Sequence, residues 1–243
     1  MAEQSPPLAL CLFDDFELVA GEDDVEMPGP AQRCVAYLAI HDGLITRCRI
    51  ANDLWPDVPL ATGLTRLRDA VYRIRQVTPT LLQQRGHRLS IADGVRVDIR
   101  QMMGLAAAVI NAEVSASGVK IPDLTPRDVL PMWDEPWLEA LRQEVGLTCA
   151  RALEYLAHDR IDAERFNDAE QACRLVIAAE PFRESAHLLL AQVHIAEGNP
   201  ALALRTVQDY ERRVLRDLGC APSRAVQYVE RSIRESTLPQ YAG

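Results

Sequence analysis

The sequence feature that most constrains the fold is a regular apolar spacing between residues 60 and 75. The apolar residues in this stretch are Leu60, Leu64, Leu67, Val71 and Ile74. The i, i+4, i+7 spacing is typical of an α-helix that buries one face. Polar residues occupy the opposite face, and arginines flank that face on both sides. The stretch therefore predicts an amphipathic helix with a cationic outer surface.

The outer face of this predicted helix suits the major groove of duplex DNA. Short polar side chains on it can reach base edges, while guanidinium groups on its flanks can reach phosphates of either strand. The candidate DNA-contacting residues on this helix are Thr62, Thr65, Arg66, Arg68, Asp69, Tyr72, Arg73 and Arg75. The alternative is an ordinary solvated face, in which Asp69 pairs with Arg66 or with Arg73.

The distribution of charge favours the DNA interpretation. The chain of 243 residues carries a net charge of −9, which is unusual for a protein that binds nucleic acid. Between residues 60 and 100, however, there are eight arginines and only three aspartates, which gives that segment a net charge of +5. An acidic remainder would limit non-specific binding to nucleic acid.

Composition argues against several other classes of protein. A hydrophobic content of 48% and a charged content of 25% are those of a soluble globular protein. No apolar run is long enough to span a membrane and no signal peptide opens the chain, so we expect a cytoplasmic protein without membrane contact. The six cysteines are scattered without a Cys-x-x-Cys pair, which argues against a zinc site or a disulfide framework. No cofactor or metal is expected.

The order of predicted elements in the first half is that of a winged helix. Short strands are expected at residues 8–12, 16–19 and 25–27. Helices are expected at residues 31–41, after Thr46 and at 60–75. A β-hairpin around Gly86 and a last strand near residues 95–97 follow. In a winged helix the third helix recognises DNA and the hairpin is the wing.

The wing adds three candidate DNA contacts, which are Arg85, His87 and Arg88. A cationic side chain at this position can enter the minor groove or contact a phosphate. The alternative for His87 is an exposed or partly packed turn residue with no role in binding.

The second half is predicted to be helical. A helix at residues 99–112 and a loop at 113–128 come first. Amphipathic helices are then expected at residues 139–158, 163–179, 183–197, 201–217 and 223–233. The segment beginning at Asn167 resembles the one beginning at Asn199, and this offset of 32 residues is close to the tetratricopeptide period. Such helical hairpins stack around a shared core and leave a groove for a peptide or a partner domain.

Together these patterns predict two domains. Residues 1–98 are expected to form an α+β winged helix-turn-helix domain. Residues 99–243 are expected to form an all-α, tetratricopeptide-like helical domain.

Four segments also carry a resemblance to a known family. The most specific is Val-Leu-Pro-Met-Trp-Asp-Glu-Pro-Trp-Leu-Glu at residues 129–139, and the others lie at 50–57, 67–75 and 217–223. They resemble the antibiotic-regulatory-protein type of bacterial transcriptional activator, called SARP-like, with its bacterial transcriptional activator domain (BTAD). The resemblance implies an OmpR-type winged helix, binding to direct-repeat promoter DNA and recruitment of RNA polymerase. It makes DNA-contact candidates of Arg66, Arg68, Tyr72, Arg73 and Arg75, with Arg85 and Arg88 on the wing.

The chain departs from the family pattern in three places. Asp14-Asp15 stands at a strand turn where the family often has glycine, and Met132 replaces another usual glycine. The first helix, beginning at residues 30–33, has fewer basic residues than usual, which weakens the expectation of DNA affinity more than that of the fold. Trp133 and Trp137 are expected to pin their loop onto the helical domain as core anchors, with an interface role as the alternative.

Two functions of different classes fit these observations. The first is an activator that binds double-stranded promoter DNA and engages RNA polymerase, with monomer, homodimer and DNA-templated dimer all open. The second is a protein-interaction adaptor that keeps the winged helix as a structural module, which the acidic total charge favours. An enzyme is not expected, because phosphate-loop, nucleophile-elbow and metalloprotease motifs are absent. His187 and His194 can share a helix face, but no spaced acid or cysteine is expected to complete a ligand set.

Overall fold

The computed structural model describes residues 7–237 and divides into two compact units. Unit 1 combines Met1–Gly104 with Arg127–Val145, and unit 2 combines Leu105–Pro126 with Gly146–Gly243. Each unit is therefore built from two separate stretches of chain. Within residues 7–237, no helix has the length and apolar character that a membrane crossing requires.

Unit 1 contains two small sheets and a three-helix cluster. Its elements before residue 98 are β1 (Leu8–Cys11), β2 (Glu17–Ala20), β3 (Asp23–Asp24), α1 (Gly29–Ile40), β4 (Ile45–Thr46), α2 (Arg47–Leu54), α3 (Leu60–Val77), β5 (Leu82–Arg85), β6 (Arg88–Ile91) and β7 (Arg96–Val97). One sheet has the strand order β3-β2-β1-β7, and the other has the order β4-β6-β5. This is the winged helix-turn-helix architecture that the sequence predicts.

The first sheet joins the two ends of the winged helix. Strand β7 runs parallel to β1, while β2 and β3 pair in antiparallel fashion. Leu10 lies opposite Leu18 on β2 and Val97 on β7, and all three side chains are buried. The third strand lies two residues earlier than predicted, because the chain reverses at once through Gly21, whose φ is 68°.

The turn at Asp14 explains one departure from the family pattern. Asp14 has a φ of 68°, in the left-handed region where glycine is most common and aspartate is tolerated. Its backbone N–H donates to the carbonyl of Asp128 at 2.7 Å, and its carboxylate forms a 2.5 Å ion pair with Arg127. The aspartate therefore keeps the turn that glycine would make and adds a partner for it.

The three helices pack around α1, whose residues from Cys34 to Ala39 are all buried. Helix α2 begins after Thr46, whose side-chain oxygen accepts from the backbone N–H of Arg49 at 3.4 Å, as predicted for an N-cap. It ends at Leu54, just before Trp55 and Pro56. Helix α3 continues to Val77, two residues beyond the predicted stretch.

The chain then leaves and re-enters unit 1 through two long helices. Helix α4 (Asp98–Ile110) and helix α5 (Pro136–Asp162) each begin in unit 1 and continue in unit 2. Helix α5 is 27 residues long, longer at both ends than predicted. The segment directly before α5, from residue 127, belongs to unit 1. The domain boundary after residue 98 therefore stays a prediction.

The tryptophan segment packs on the winged helix, and the prediction that it pins onto the helical domain is wrong. The Trp137 ring meets Tyr37 of α1 edge to face, with ring centroids 5.6 Å apart, and Trp133 stacks on Phe16 at 6.0 Å. Glu135, between them, pairs with Arg33 of α1 at 2.5 Å. Sequence spacing carries no information about such contacts, because they join parts of the chain far apart in sequence.

Unit 2 consists of the remaining parts of α4 and α5 and a series of helical hairpins. Its further helices are α6 (Phe166–Ala179), α7 (Glu184–Ala196), α8 (Pro200–Leu218) and α9 (Arg224–Thr237). Buried small residues such as Ala169, Ala191 and Ala203 allow close packing of these helices. The all-α fold of this half is as predicted, and the repeated segments at Asn167 and Asn199 lie at the starts of α6 and α8.

Candidate nucleic-acid interface

Helix α3 is held against α2 by a close backbone approach. Gly63 is buried, and a Cβ placed on it would lie 3.3 Å from the carbonyl oxygen of Ala51 and 3.4 Å from the Ala51 Cβ. Further along α3, Leu67, Val71 and Ile74 are buried as predicted. Leu60, expected on the same face, is instead 41% exposed, because it is the first residue of the helix.

The outer face of α3 is free of internal ion pairs. The predicted contact residues Thr62, Thr65, Arg66, Arg68, Asp69, Tyr72, Arg73 and Arg75 are all exposed. The solvated-face alternative requires Asp69 to pair with Arg66 or with Arg73. Within residues 7–237, it pairs with neither. Arg66, Arg68 and Arg73 form no side-chain hydrogen bond or ion pair there. These three guanidinium groups therefore keep all of their donors available.

Two polar side chains on this face complete its chemistry. The Thr65 hydroxyl donates to the Ala61 carbonyl at 3.1 Å, so both lone pairs of its oxygen stay available to accept. Tyr72 is 64% exposed, which leaves both its ring and its hydroxyl on the surface.

The wing is the β5–β6 hairpin. Arg85 lies opposite Arg88 at the end of the ladder, and Gly86 makes the turn with a φ of 57°. Arg85, His87 and Arg88 are all exposed. The hairpin is also tied to α2, since the backbone N–H of Arg47 donates to the His87 carbonyl at 3.0 Å.

One glutamine connects α3, α2 and the wing, and sequence reasoning did not identify it. The Gln84 Oε1 accepts from Arg75 Nη2 at 2.6 Å and from Arg47 Nη2 at 3.3 Å. The Gln84 Nε2 donates to the Gly86 carbonyl at 3.0 Å. A neutral amide thus holds two guanidinium groups close together without a carboxylate to neutralise them. Arg47 therefore joins the candidate interface, although its position before α3 gave no periodic signal.

The back of α2 is fixed to α1 by a buried tyrosine. The Tyr37 hydroxyl donates to the Asp53 carboxylate, and Arg49 pairs with the same carboxylate at 3.6 Å. Burial, and then the hydrogen bond to Asp53, raise the pKa of Tyr37. Trp137 covers the other edge of this ring. The residues around 135–137 therefore support α1 and α2, against which α3 packs.

Arg33, the basic residue at the start of α1, is not available to DNA. Its guanidinium donates to the Leu54 carbonyl at 2.9 Å and pairs with Glu135. The Trp137 indole N–H donates to the same carboxylate at 3.0 Å. The start of the first helix therefore contributes no unpaired basic side chain to the candidate interface.

Unit 2 brings together a group of titratable residues that the sequence reasoning missed. Glu170, His194 and Glu197 place ligand atoms within 4.8 Å of one another, so the expectation that no spaced acid or cysteine would complete a ligand set with these histidines is wrong for the geometry at His194. The signal was the His-x-x-Glu spacing at the end of α7, to which α6 adds Glu170. Arg174 donates to Glu170 at 2.7 Å, so a divalent cation would have to compete with this guanidinium. The group is an ion-pair network as it stands.

Comparison with known proteins identifies the second half and the fold. Residues 125–234 match the family model described as the bacterial transcriptional activator domain, which confirms the resemblance indicated by residues 129–139. Among solved structures, the chain is similar to one described as Mycobacterium tuberculosis EmbR in complex with low affinity phosphopeptide. The TM-score is 0.72 at 16% identity, with 95% of this chain and 65% of that chain covered. This chain therefore spans about two thirds of that protein. No protein with a curated description matches it.

Proposed function

We propose that this chain is a sequence-specific, DNA-binding transcriptional activator of the SARP-like type, because residues 125–234 match the family model of the bacterial transcriptional activator domain. Its winged helix, of the OmpR type, binds promoter repeats through α3 and the wing. Its helical part engages RNA polymerase or another protein partner. The protein acts in the cytoplasm, where the bacterial chromosome is, and has no catalytic role.

The observation that carries this proposal is the set of unpaired arginines on α3. Charged side chains on an ordinary surface helix commonly pair along the helix, and Asp69 is placed to allow it. Here Arg66, Arg68 and Arg73 have no partner within residues 7–237, and an anionic duplex would supply one. Side chains of Thr62, Thr65 and Asp69 lie between them and would meet base edges.

The proposal also includes the division of the chain into two functional parts and the assembly of two copies on DNA. The DNA-binding part corresponds to residues 1–98 and the activator part to residues 99–243, with residues 127–145 supporting the first. On direct repeats, two copies would bind side by side as a homodimer formed on DNA. Sedimentation of the protein with and without a duplex that carries two repeats distinguishes this from a monomer or a preformed dimer.

The test of DNA binding is footprinting on the region upstream of the protein's own gene, followed by gel shifts. Arg66→Ala or Arg73→Ala is expected to weaken operator binding by about 1–3 kcal/mol where the side chain reads a base. An arginine that contacts a phosphate would instead weaken all sequences alike and lower the salt slope by about one.

Arg231→Ala on α9 is the matched control for these variants. Arg231 is exposed and has no partner within residues 7–237, so the charge change is the same but lies outside the winged helix. We expect its affinity for the operator to equal that of the unaltered protein. If the Arg66 and Arg73 variants bind like this control at every salt concentration, α3 is not the DNA-binding element.

A second candidate function is a protein-interaction adaptor whose winged helix does not itself read DNA. The net charge of −9 and the pairing of Arg33 with Glu135 favour it. Sequence-specific protection in the footprint at low salt excludes the adaptor. Its complete absence, with the protein folded, favours the adaptor over the activator.

Gln84 offers a separate test of how the wing is oriented. Gln84→Leu removes the acceptor shared by Arg47 and Arg75 but leaves every charge in place. We expect roughly a threefold to tenfold loss of affinity on all sequences, about 0.7–1.4 kcal/mol, with an unchanged salt slope. Gln83→Leu, at the neighbouring β5 position on the opposite face, is expected to bind normally. Equal affinities for the two variants would show that the bridge does not matter.

A further inference from the structure

Unit 2 contains a groove that the proposed DNA interface does not use. It has a volume of about 570 Å³ and lies between α6, α7 and α8. Its apolar lining comes from Ile177, Leu190, Leu202 and Tyr210, of which Leu202 is 37% exposed. A concave site of this volume with a mixed lining is within the usual range for ligand-binding clefts.

The rim of the groove is cationic and incompletely paired. Arg174, Arg205 and Arg213 all line it. Arg174 pairs with Glu170, but within residues 7–237 Arg205 and Arg213 have no hydrogen-bond or ion-pair partner. Arg213 is also half-buried, a position in which an unpaired guanidinium is costly. The groove therefore has two cationic side chains with unused donors.

The other titratable groups of the groove form no ion pair with these two arginines, and the nearby Asp217, whose pKa is lowered first by its hydrogen bond to Arg216 and then by the fields of Arg216 and Arg213, is bonded to Arg216. Asp209 is bonded to Arg212, which does not line the groove. The His187 Nε2 lies 3.0 Å from the Pro181 carbonyl, and burial, with the field of Arg213 as a further contribution, lowers the pKa of His187. His194 lies 3.4 Å from the Glu197 carboxylate. Arg205 and Arg213 thus remain the groups available to a negatively charged ligand.

We propose that this groove binds an acidic segment of a partner protein, with carboxylates on Arg205 and Arg213 and an apolar side chain against Leu190 and Leu202. The proposal rests on the proposed function, since it names the surface and the chemistry by which the helical part engages a partner. The overall charge of −9 adds specificity, because an acidic partner is repelled by most of the molecule and attracted at this groove.

The experiment measures fluorescence anisotropy of labelled peptides with the full chain, in the absence of DNA. The probes are short peptides with the same two leucines and the same glycine and serine spacers, differing only in whether the remaining positions are Glu, Gln or Lys. We expect the Glu peptide alone to bind, and its affinity to fall as salt is raised. Arg205→Gln and Arg213→Gln should each weaken it by about threefold to tenfold.

Arg231→Gln is the control, because it removes the same charge from an exposed position of unit 2 that does not line the groove. Equal binding of the Glu and Gln peptides, or equal losses in Arg213→Gln and Arg231→Gln, would overturn the proposal. So would sedimentation in which the Arg205 and Arg213 variants convert a dimer to a monomer, since the occupant would then be a second copy of the chain. Gel shifts distinguish a failure of this proposal from a failure of the proposed DNA binding. The Arg205 and Arg213 variants should retain the DNA affinity of the unaltered protein. Peptide binding is measured without DNA, so its result does not depend on DNA binding.

Discussion

Replacing Gly63 with leucine is expected to destabilise the winged helix by about 2 kcal/mol or more and to weaken the proposed DNA binding. Even a single added carbon would lie 3.3 Å from the Ala51 carbonyl oxygen, and a leucine side chain has no space between α2 and α3. Overpacking of this kind costs about 3 kcal/mol or more when backbone is the obstacle, which exceeds the gain of roughly 0.8 kcal/mol from removing a helical glycine. Urea denaturation followed by circular dichroism measures the loss, and a gel shift measures binding.

Gly104→Leu is the matched control for this variant. Gly104 is also helical, but it is exposed and no atom lies within 4 Å of the position its Cβ would take. The same substitution there should be neutral or stabilising by up to about 1 kcal/mol, because only the helix propensity changes. A Gly63→Leu protein as stable as the Gly104→Leu protein would mean that α2 and α3 do not approach as closely as described.

Replacing Arg160 with methionine is expected to destabilise unit 2 by about 3 kcal/mol. Arg160 is only 2% exposed, and its Nη2 donates to the carbonyls of Ala116 at 3.1 Å and Val119 at 2.8 Å. Methionine fills similar volume but leaves these carbonyls without their donor. The loop at residues 113–128 would lose its attachment to α5, which hydrogen exchange of that loop measures directly.

Arg165→Met provides the comparison for Arg160→Met. Arg165 pairs with Asp168 across one helical turn, and its side chain is 52% exposed. Exposed pairs of this kind contribute about 0–1 kcal/mol, so the variant should denature nearly as the unaltered protein does. Losses of similar size in the two variants would indicate that burial of the Arg160 guanidinium has no special importance.

Much of the fold was predictable because it depends on local patterns. The apolar spacing at Leu67, Val71 and Ile74 predicts which face of α3 is buried, and Thr46 predicts where α2 begins. The repeated segments at Asn167 and Asn199 predict stacked helices, and they lie at the starts of α6 and α8, although α6 begins three residues later than predicted. In each case the physical cause lies within a few residues of its effect.

The contacts that sequence reasoning missed join distant parts of the chain. Glu135 meets Arg33 across 102 positions, and Trp133 meets Phe16, so neither pair leaves a periodic trace. Gln84 was not identified because its role depends on Arg47 and Arg75, which belong to two different helices. The cationic residues of the candidate site could be found by composition, but the neutral group that orients them could not.

The assembly of unit 1 from two separate stretches has a consequence for biosynthesis. Tyr37 and Arg33 find Trp137 and Glu135 only after the ribosome has released the chain beyond these residues. Until then this side of α1 is uncovered, so the nascent polypeptide cannot complete unit 1 while translation is still within its first half. A single recombination junction placed between residues 105 and 126 would therefore separate α1 from the residues that cover it.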